Sequence, residues 1–174
     1  MRRAYSHFII GLFSTAALAA DDANVPTYIH GEARTVISNW LAKNPNLRIA
    51  VDEDCSCQER IQAIRTGTYG AGKPIPNYHP YYMAGDFNND ESPDIAVIAL
   101  EEANPANSTF VIFNGPFNDL TSASPAFMSR KLSGALFYGP PRPEPFRLVI
   151  GSFNSEGVVL EPTAETYEPV EDEQ

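Results

Sequence analysis

Four oxygen-bearing side chains lie at alternating positions in one short stretch of this chain. They are Asp86, Asn88, Asp90 and Asp94. Residues 81–100 read as a strand, an acidic loop (residues 86–94) and a second strand. Alternate residues of a tight loop can direct their oxygens to one centre, which suits Ca²⁺ with its roughly six to eight oxygen ligands. Ser92, two residues before the last of them, would add its backbone carbonyl. The stretch therefore predicts a calcium site in a hairpin.

The calcium loop of FG-GAP and VCBS repeats, roughly G-D-F-N-G-D-G-x-x-D-L-A-V, resembles residues 85–97, which read GDFNNDESPDIAV. In that family the loop joins two strands of a propeller blade, and calcium makes the turn rigid. The resemblance covers this segment alone. The family has glycine where this chain has Asn89 and Glu91, and glycine takes the sharp turn most easily. The alternative is an acidic turn that needs no metal.

The two cysteines, Cys55 and Cys57, are the second group that could do chemistry. Three interpretations remain open: a local disulfide, a redox-active or nucleophilic thiol, and a metal-binding pair. A disulfide is the default for the only two cysteines of an exported chain. The order of these cysteines, the Gly/Pro loop, His79 and the acidic loop also resembles small exported bacterial proteins, which implies no activity.

A catalytic alternative uses Cys55 and His79. Asp54-Cys55-Ser56 resembles the D-C-S-G motif of exported NlpC/P60 peptidoglycan amidases, with Cys57 in place of the glycine. The resemblance implies Cys55 as nucleophile and His79 as its base. Such a thiol also needs a third group that orients the base, and the sequence identifies none.

The first residues predict export. Arg2 and Arg3 precede an apolar run and the small-residue sequence Ala17-Leu18-Ala19, which is typical of a secretory signal peptide over residues 1–19. We therefore expect a periplasmic or secreted protein. The apolar run is too short for a stable membrane anchor, and no later stretch is long enough for a span.

The charge of the chain limits its partners. Without Arg2 and Arg3, 10 basic residues face 22 acidic ones, a net charge of −12. Such a charge opposes nucleic-acid binding, which requires cations that neutralise phosphates. It is compatible with a divalent cation or with a basic protein partner.

The periodicity predicts an α+β fold, with N-terminal helices packed on one face of a mostly antiparallel sheet. After a loose leader (residues 21–28), we expect a helix over residues 31–43 and a second helix that is capped within residues 52–54 and stops at Gly67. Strands are expected at 47–51, on both sides of the acidic loop, and at 109–113, 135–138, 146–150 and 157–160. A helical turn is expected within 124–132. We expect a single domain over residues 20–163, followed by a disordered acidic tail, residues 164–174.

Three functions remain open. The first is an exported, non-enzymatic domain that binds calcium in the acidic loop. The second is an exported acidic protein that binds or inhibits a basic envelope partner. The third is a small hydrolase that depends on Cys55 and His79.

Overall fold

A computed structural model describes residues 24–69, 72–139, 147–153 and 157–171. Within them the chain forms two α-helices, α1 (Gly31–Ala42) and α2 (Gln58–Thr66), and a 3-10 turn at Asp52–Asp54. The nine strands of the described residues are β1 (Leu47–Ile49), β2 (Tyr82–Gly85), β3 (Asp94–Glu101), β4 (Asn104–Phe113), β5 (Phe127–Ser129), β6 (Ala135–Gly139), β7 (Arg147–Gly151), β8 (Val158–Pro162) and β9 (Tyr167–Glu171). The predicted signal peptide, residues 1–19, lies outside the described residues.

The first sheet is built around β3. Its strand order is β1-β3-β4-β5, and β2 pairs with β3 on the same edge as β1. All of these pairings are antiparallel. Seven of the eight residues of β3 are buried, because apolar side chains point to both faces of the sheet. A strand of this kind needs a layer on each face.

One face of this sheet is covered by α1. Val36, Ile37, Trp40 and Leu41 recur at helical spacing and are buried in one cluster with Val97, Val111 and Phe113. The ring of Trp40 meets Phe113 edge-on, with 5.9 Å between ring centroids. Val25, within the predicted loose leader, is buried in the same cluster, as is Ile29 just after it, so this part of the leader is docked instead.

The other face of the first sheet is covered by a second sheet and by α2. The second sheet is an antiparallel meander of order β6-β7-β8-β9. Leu136, Leu148 and Leu160 share a buried cluster with Ile98 and Ile112 of the first sheet. Ile61 and Ile64 of α2 join the same cluster.

Antiparallel pairing is thus confirmed, but the architecture is mostly sheet, with two sheets rather than one. The two helices lie on opposite faces of the first sheet, not on one face as predicted. The physical reason is that both faces of β3 are apolar, so each face requires its own cover. The predicted helical turn within 124–132 is instead the short strand β5.

The predicted disordered tail, residues 164–174, is wrong for its described part. Residues 167–171 form β9 and pair along the whole of β8. Tyr167 is 2% exposed, and its hydroxyl donates to Asn114 Oδ1 at 2.8 Å. One aromatic anchor therefore orders a segment whose acidic composition predicted disorder.

Candidate functional sites

The acidic loop closes the hairpin between β2 and β3. Gly85 and Asp94 form the last residue pair of the β2–β3 ladder, next to the loop, and Asp94 is also the final residue of the loop. Because β3 is the central strand of the first sheet, the loop is attached to the most buried part of the fold. The sequence-based placement of this hairpin is confirmed.

The backbone of the loop takes the conformation that glycine usually provides. Asn89 has φ 61° and Glu91 has φ 68°, and they are the only non-glycine residues with positive φ in the described chain. Both stand where the resembling family has glycine. Asn adopts this left-handed region readily, whereas a Glu held there is strained. The loop therefore has two left-handed residues at the positions where the resembling sequence pattern has glycine.

The side-chain oxygens at the start of the loop converge through hydrogen bonds. The backbone N–H of Asp90 donates to Asp86 Oδ1 at 3.0 Å and to Asn88 Oδ1 at 3.1 Å. Asp86 Oδ2 accepts from the N–H of Glu91 at 2.9 Å. Asn88 Nδ2 donates to Asp90 Oδ2 at 3.0 Å, and Asp90 Oδ1 accepts from the N–H of Ser92 at 2.8 Å. These bonds hold three predicted ligands close together and fix their orientation.

Asp94 is fully buried and anchors the loop. Its Oδ2 accepts from the N–H groups of Phe87 and Asn88 at 2.8 and 3.2 Å, and its Oδ1 accepts from Gly115 at 2.9 Å. Desolvation by burial raises the pKa of Asp94, and the backbone hydrogen bonds oppose that rise. Because both oxygens are used by backbone groups, the structure gives Asp94 an anchoring role beside its predicted role as a ligand.

Among the described residues, no group of three or more His, Cys, Asp or Glu side chains is close enough to hold a metal ion. Calcium in the acidic loop would therefore depend on Asp86 and Asp90, on the amide oxygen of Asn88, and on backbone carbonyls and water. Such mixed oxygen sets are normal for calcium.

The cysteines lie at the end of the 3-10 turn. The sulfur atoms of Cys55 and Cys57 are at bonding distance, as a disulfide requires, and their Cα atoms are 5.1 Å apart. The turn before them is held by Asp54, which accepts two hydrogen bonds from the Arg48 guanidinium at 2.7 and 2.6 Å and one from the N–H of Val51. Paired as a disulfide, Cys55 would have no thiolate to act as a nucleophile.

His79 lies in a polar cluster that the sequence did not reveal. Its Nδ1 is 2.9 Å from Asp52 Oδ1, and Asp52 Oδ2 accepts from Arg65 Nη2 at 2.5 Å. Arg65 also donates from Nε and Nη2 to the carbonyl of Tyr78. The ring of Tyr28 stacks on the imidazole, with centroids 3.5 Å apart and ring planes at 6°. The third group that orients His79 is therefore Asp52.

A pocket of about 480 Å³ opens beside this cluster. Its lining includes Tyr28, Asp52, Glu53, Arg65 and His79. The sequence predicts only a helix-capping position for Asp52 and no role for Tyr28 or Arg65. No spacing rule could have joined them, since they come from three segments that only the fold brings together.

The chain matches no protein-family model, no curated protein and no solved structure. None of the helices in the described ranges has the length and apolar character needed to cross a membrane.

Proposed function

We propose that this protein is an exported, non-enzymatic domain that binds calcium in the acidic loop. Asp86, Asn88 and Asp90 would supply side-chain oxygens, Ser92 its carbonyl, and Asp94 would fix the base of the loop or complete the ligand set. The observation that carries the proposal is the pair of left-handed residues, Asn89 and Glu91, at the positions where calcium loops of this pattern have glycine.

The strained backbone of Glu91 supports the proposal that the function of the loop requires this particular conformation. A Glu in the left-handed region costs about 1 kcal/mol or more relative to glycine. An ordinary acidic turn has many conformations that avoid this cost. Here the strained turn brings the oxygens of Asp86 and Asn88 to one shared N–H donor, which is the preorganisation that a cation site needs.

The consequence of binding would be a stiffer hairpin. Calcium would neutralise the repulsion between Asp86 and Asp90 and bridge both ends of the loop. Since the hairpin includes β3, the ion would stabilise the central strand of the first sheet. Export accords with this reading, because extracellular calcium is abundant enough for sites that bind at roughly 0.1–1 mM. The Cys55–Cys57 pair is another feature favoured by an oxidising compartment.

Calcium-dependent unfolding tests the proposal. With calcium at about a hundredfold excess over the dissociation constant, the free energy of unfolding should rise by about 2.7 kcal/mol relative to the protein in chelator. Asp86→Ala should abolish this gain. Asp119→Ala is the matched control, because Asp119 is also an exposed turn carboxylate with several local hydrogen bonds. Asp119→Ala should lower the free energy of unfolding in chelator but leave the increase caused by calcium unchanged.

The readout is the difference between calcium and chelator for each variant, so a general loss of stability does not imitate the result. Unfolding curves of the wild-type protein that coincide in chelator and in about 10 mM calcium would overturn the proposal. The acidic loop would then be a metal-free turn.

A further inference from the structure

The pocket beside His79 has no part in the calcium proposal. It lies between the segment before α1, the 3-10 turn Asp52–Asp54, α2 and the loop that ends at His79. None of the residues 86–94 lines it. Its volume of about 480 Å³ is sufficient for a long side chain or a small molecule.

The positive charge in the pocket is already neutralised. Arg65 forms an ion pair with Asp52 and donates two further hydrogen bonds to the Tyr78 carbonyl. An anionic ligand would therefore have to compete with Asp52 for this guanidinium, and it would meet the carboxylate of Glu53 as well.

The groups left for a ligand are mainly acceptors. His79 Nδ1 lies 2.9 Å from the carboxylate of Asp52, which can only accept, and 3.3 Å from Arg65 Nη2, which can only donate. The shorter contact, to Asp52, favours the proton of a neutral His79 on Nδ1, which leaves a lone pair on Nε2. The stacked ring of Tyr28 and the bond to Asp52 fix the plane of the imidazole. Glu53 is exposed at the pocket wall, and no described residue pairs with its carboxylate. A ligand that brings donors fits this arrangement.

The electrostatic potential at Tyr28 is negative, which also favours a ligand that carries positive charge. Burial is the main reason that the pKa of Tyr28 is raised, and the negative charges of Asp52 and Glu53 raise it further. Arg65 acts in the opposite direction but with a smaller effect than either of them. A positive charge placed beside Tyr28 would therefore be favoured.

We propose that this pocket binds the ammonium or guanidinium group of a lysine or arginine side chain from a basic polypeptide partner. Glu53 supplies the counter-charge, His79 Nε2 accepts a hydrogen bond, and Tyr28 forms an aromatic wall. The Asp52–Arg65 pair holds His79 in place and is a positioning element. The net charge of the chain, −10 for all residues, would draw such a partner toward the protein.

Short peptides with one central side chain are suitable probes. Blocked Gly-Lys-Gly and Gly-Arg-Gly carry the charge, and blocked Gly-norleucine-Gly has an uncharged chain similar in length to lysine. Chemical shifts of the full-length protein, measured at physiological ionic strength with chelator present, should change saturably at His79 and its pocket neighbours. The charged peptides should produce this change and the norleucine peptide should not.

Glu53→Gln should weaken binding by about tenfold, the usual effect of losing one charge-assisted hydrogen bond. Glu168→Gln removes the same charge from an exposed position on β9 and is the matched control. It should leave the affinity unchanged. Both sites are on the surface, so both variants should fold, which the spectrum itself verifies.

Equal weakening by both variants would mean diffuse attraction to an acidic surface and would overturn the proposal. Saturable shifts with norleucine, or none with any peptide, would also overturn it. Spermidine is the free-amine probe, and saturable shifts with spermidine but with neither charged peptide would overturn the proposal in favour of a free polyamine. Since chelator is present throughout, these outcomes are independent of calcium binding.

Discussion

Glu91 is one of two non-glycine residues with positive φ among those the structure describes, and Glu tolerates this region less well than Asn89 does. It sits at φ 68°, where a side chain with a Cβ is disfavoured by about 1 kcal/mol. Glu91→Gly should therefore raise the free energy of unfolding by about that amount in chelator and also strengthen calcium binding. Urea unfolding with and without calcium measures both effects.

Asn89→Gly is the matched comparison for Glu91→Gly. Because Asn tolerates φ 61° better than Glu does, its gain should be smaller. A loss of stability in Glu91→Gly would show that the Glu91 side chain has a stabilising role that outweighs its backbone strain.

Asp94 is a buried carboxylate that satisfies three backbone N–H groups. Asp94→Ala should lower the free energy of unfolding by about 3 kcal/mol or more, since those donors would lose a charged acceptor in a buried place. Asp119→Ala, at an exposed turn, should have a much smaller effect. Equal effects in equilibrium unfolding would mean that burial of Asp94 does not matter.

The pH dependence of Asp94 and Asp54 should have opposite signs. Burial raises the pKa of Asp94 above its ordinary 3.8, so its contribution to stability is present below pH 3.8 and is lost as pH rises through the folded pKa. The hydrogen bond from Arg48 lowers the pKa of Asp54, so its contribution is present above pH 3.8 and is lost as pH falls through the folded pKa.

Carboxyl carbon shifts measured during a pH titration report both groups directly. Asp94 should titrate above Asp54, and Asp119 should titrate near 2 because the hydroxyls of Thr121 and Ser122 stabilise its charge. If Asp94 titrated below Asp54, the attribution of its raised pKa to burial would be wrong.

At the scale of elements, the strands with strong local patterns could be predicted from the sequence. The apolar run of β3 and the turn residues before it specify the hairpin without knowledge of the rest of the fold. The second sheet could not be separated from the first, because the pattern of a strand does not state which strand it pairs with. Both apolar faces of β3 indicate two covering layers, but not which elements supply them.

The strand β9 shows the limit of composition as a guide. Six acidic residues and no basic ones occur in residues 161–174, and this composition predicts disorder. In the fold, Tyr167 packs edge-on to Phe127 of the first sheet and bonds to Asn114. A single large buried aromatic side chain stabilises the folded state by more than the surrounding charges destabilise it, since those charges stay in water.

Truncation tests the importance of β9. Removing residues 167–174 should destabilise the protein by at least about 3 kcal/mol, the usual loss for a buried aromatic side chain. The control is removal of residues 172–174 alone, which leaves β9 intact. Thermal or urea unfolding compares the two proteins, and equal midpoints would show that β9 does not contribute to the core.

At the scale of the whole molecule, the two candidate sites flank one short strand. His79 forms an isolated bridge with Tyr82, the first residue of β2, and the acidic loop follows Gly85, its last. Tyr82 also contacts Tyr28, the aromatic wall of the pocket, with ring centroids 6.2 Å apart. The acidic loop could be recognised from the sequence because its ligands are local. The pocket could not, because its residues converge only when β2, α2 and the segment before α1 have packed.

Hydrogen exchange tests how far the effect of calcium spreads. If the ion stiffens the hairpin, amide protection should increase in the acidic loop, in β2 and at the nearby end of β3. The meander β6–β9 should change less, since its strands pair only with one another within the described residues, and one backbone hydrogen bond there, from the N–H of Leu136 to the carbonyl of Pro80 at 2.8 Å, ties it to the start of the hairpin. A uniform increase over both sheets would instead indicate that calcium acts on global stability.

Export and the state of the cysteines can be tested together on the full chain expressed with residues 1–19 in place. A bacterial host should release a protein that begins at Ala20 and whose intact mass, without reduction, lacks the two hydrogens of a Cys55–Cys57 disulfide. The disulfide is expected because these are the only two cysteines in the sequence and the compartment beyond the membrane is oxidising. The matched control is a chain starting at residue 20 and kept in the reducing cytosol, which should carry two thiols that react with alkylating agents. An exported protein with both thiols free would contradict the disulfide and reopen the interpretation of Cys55 as a nucleophile with His79 as its base.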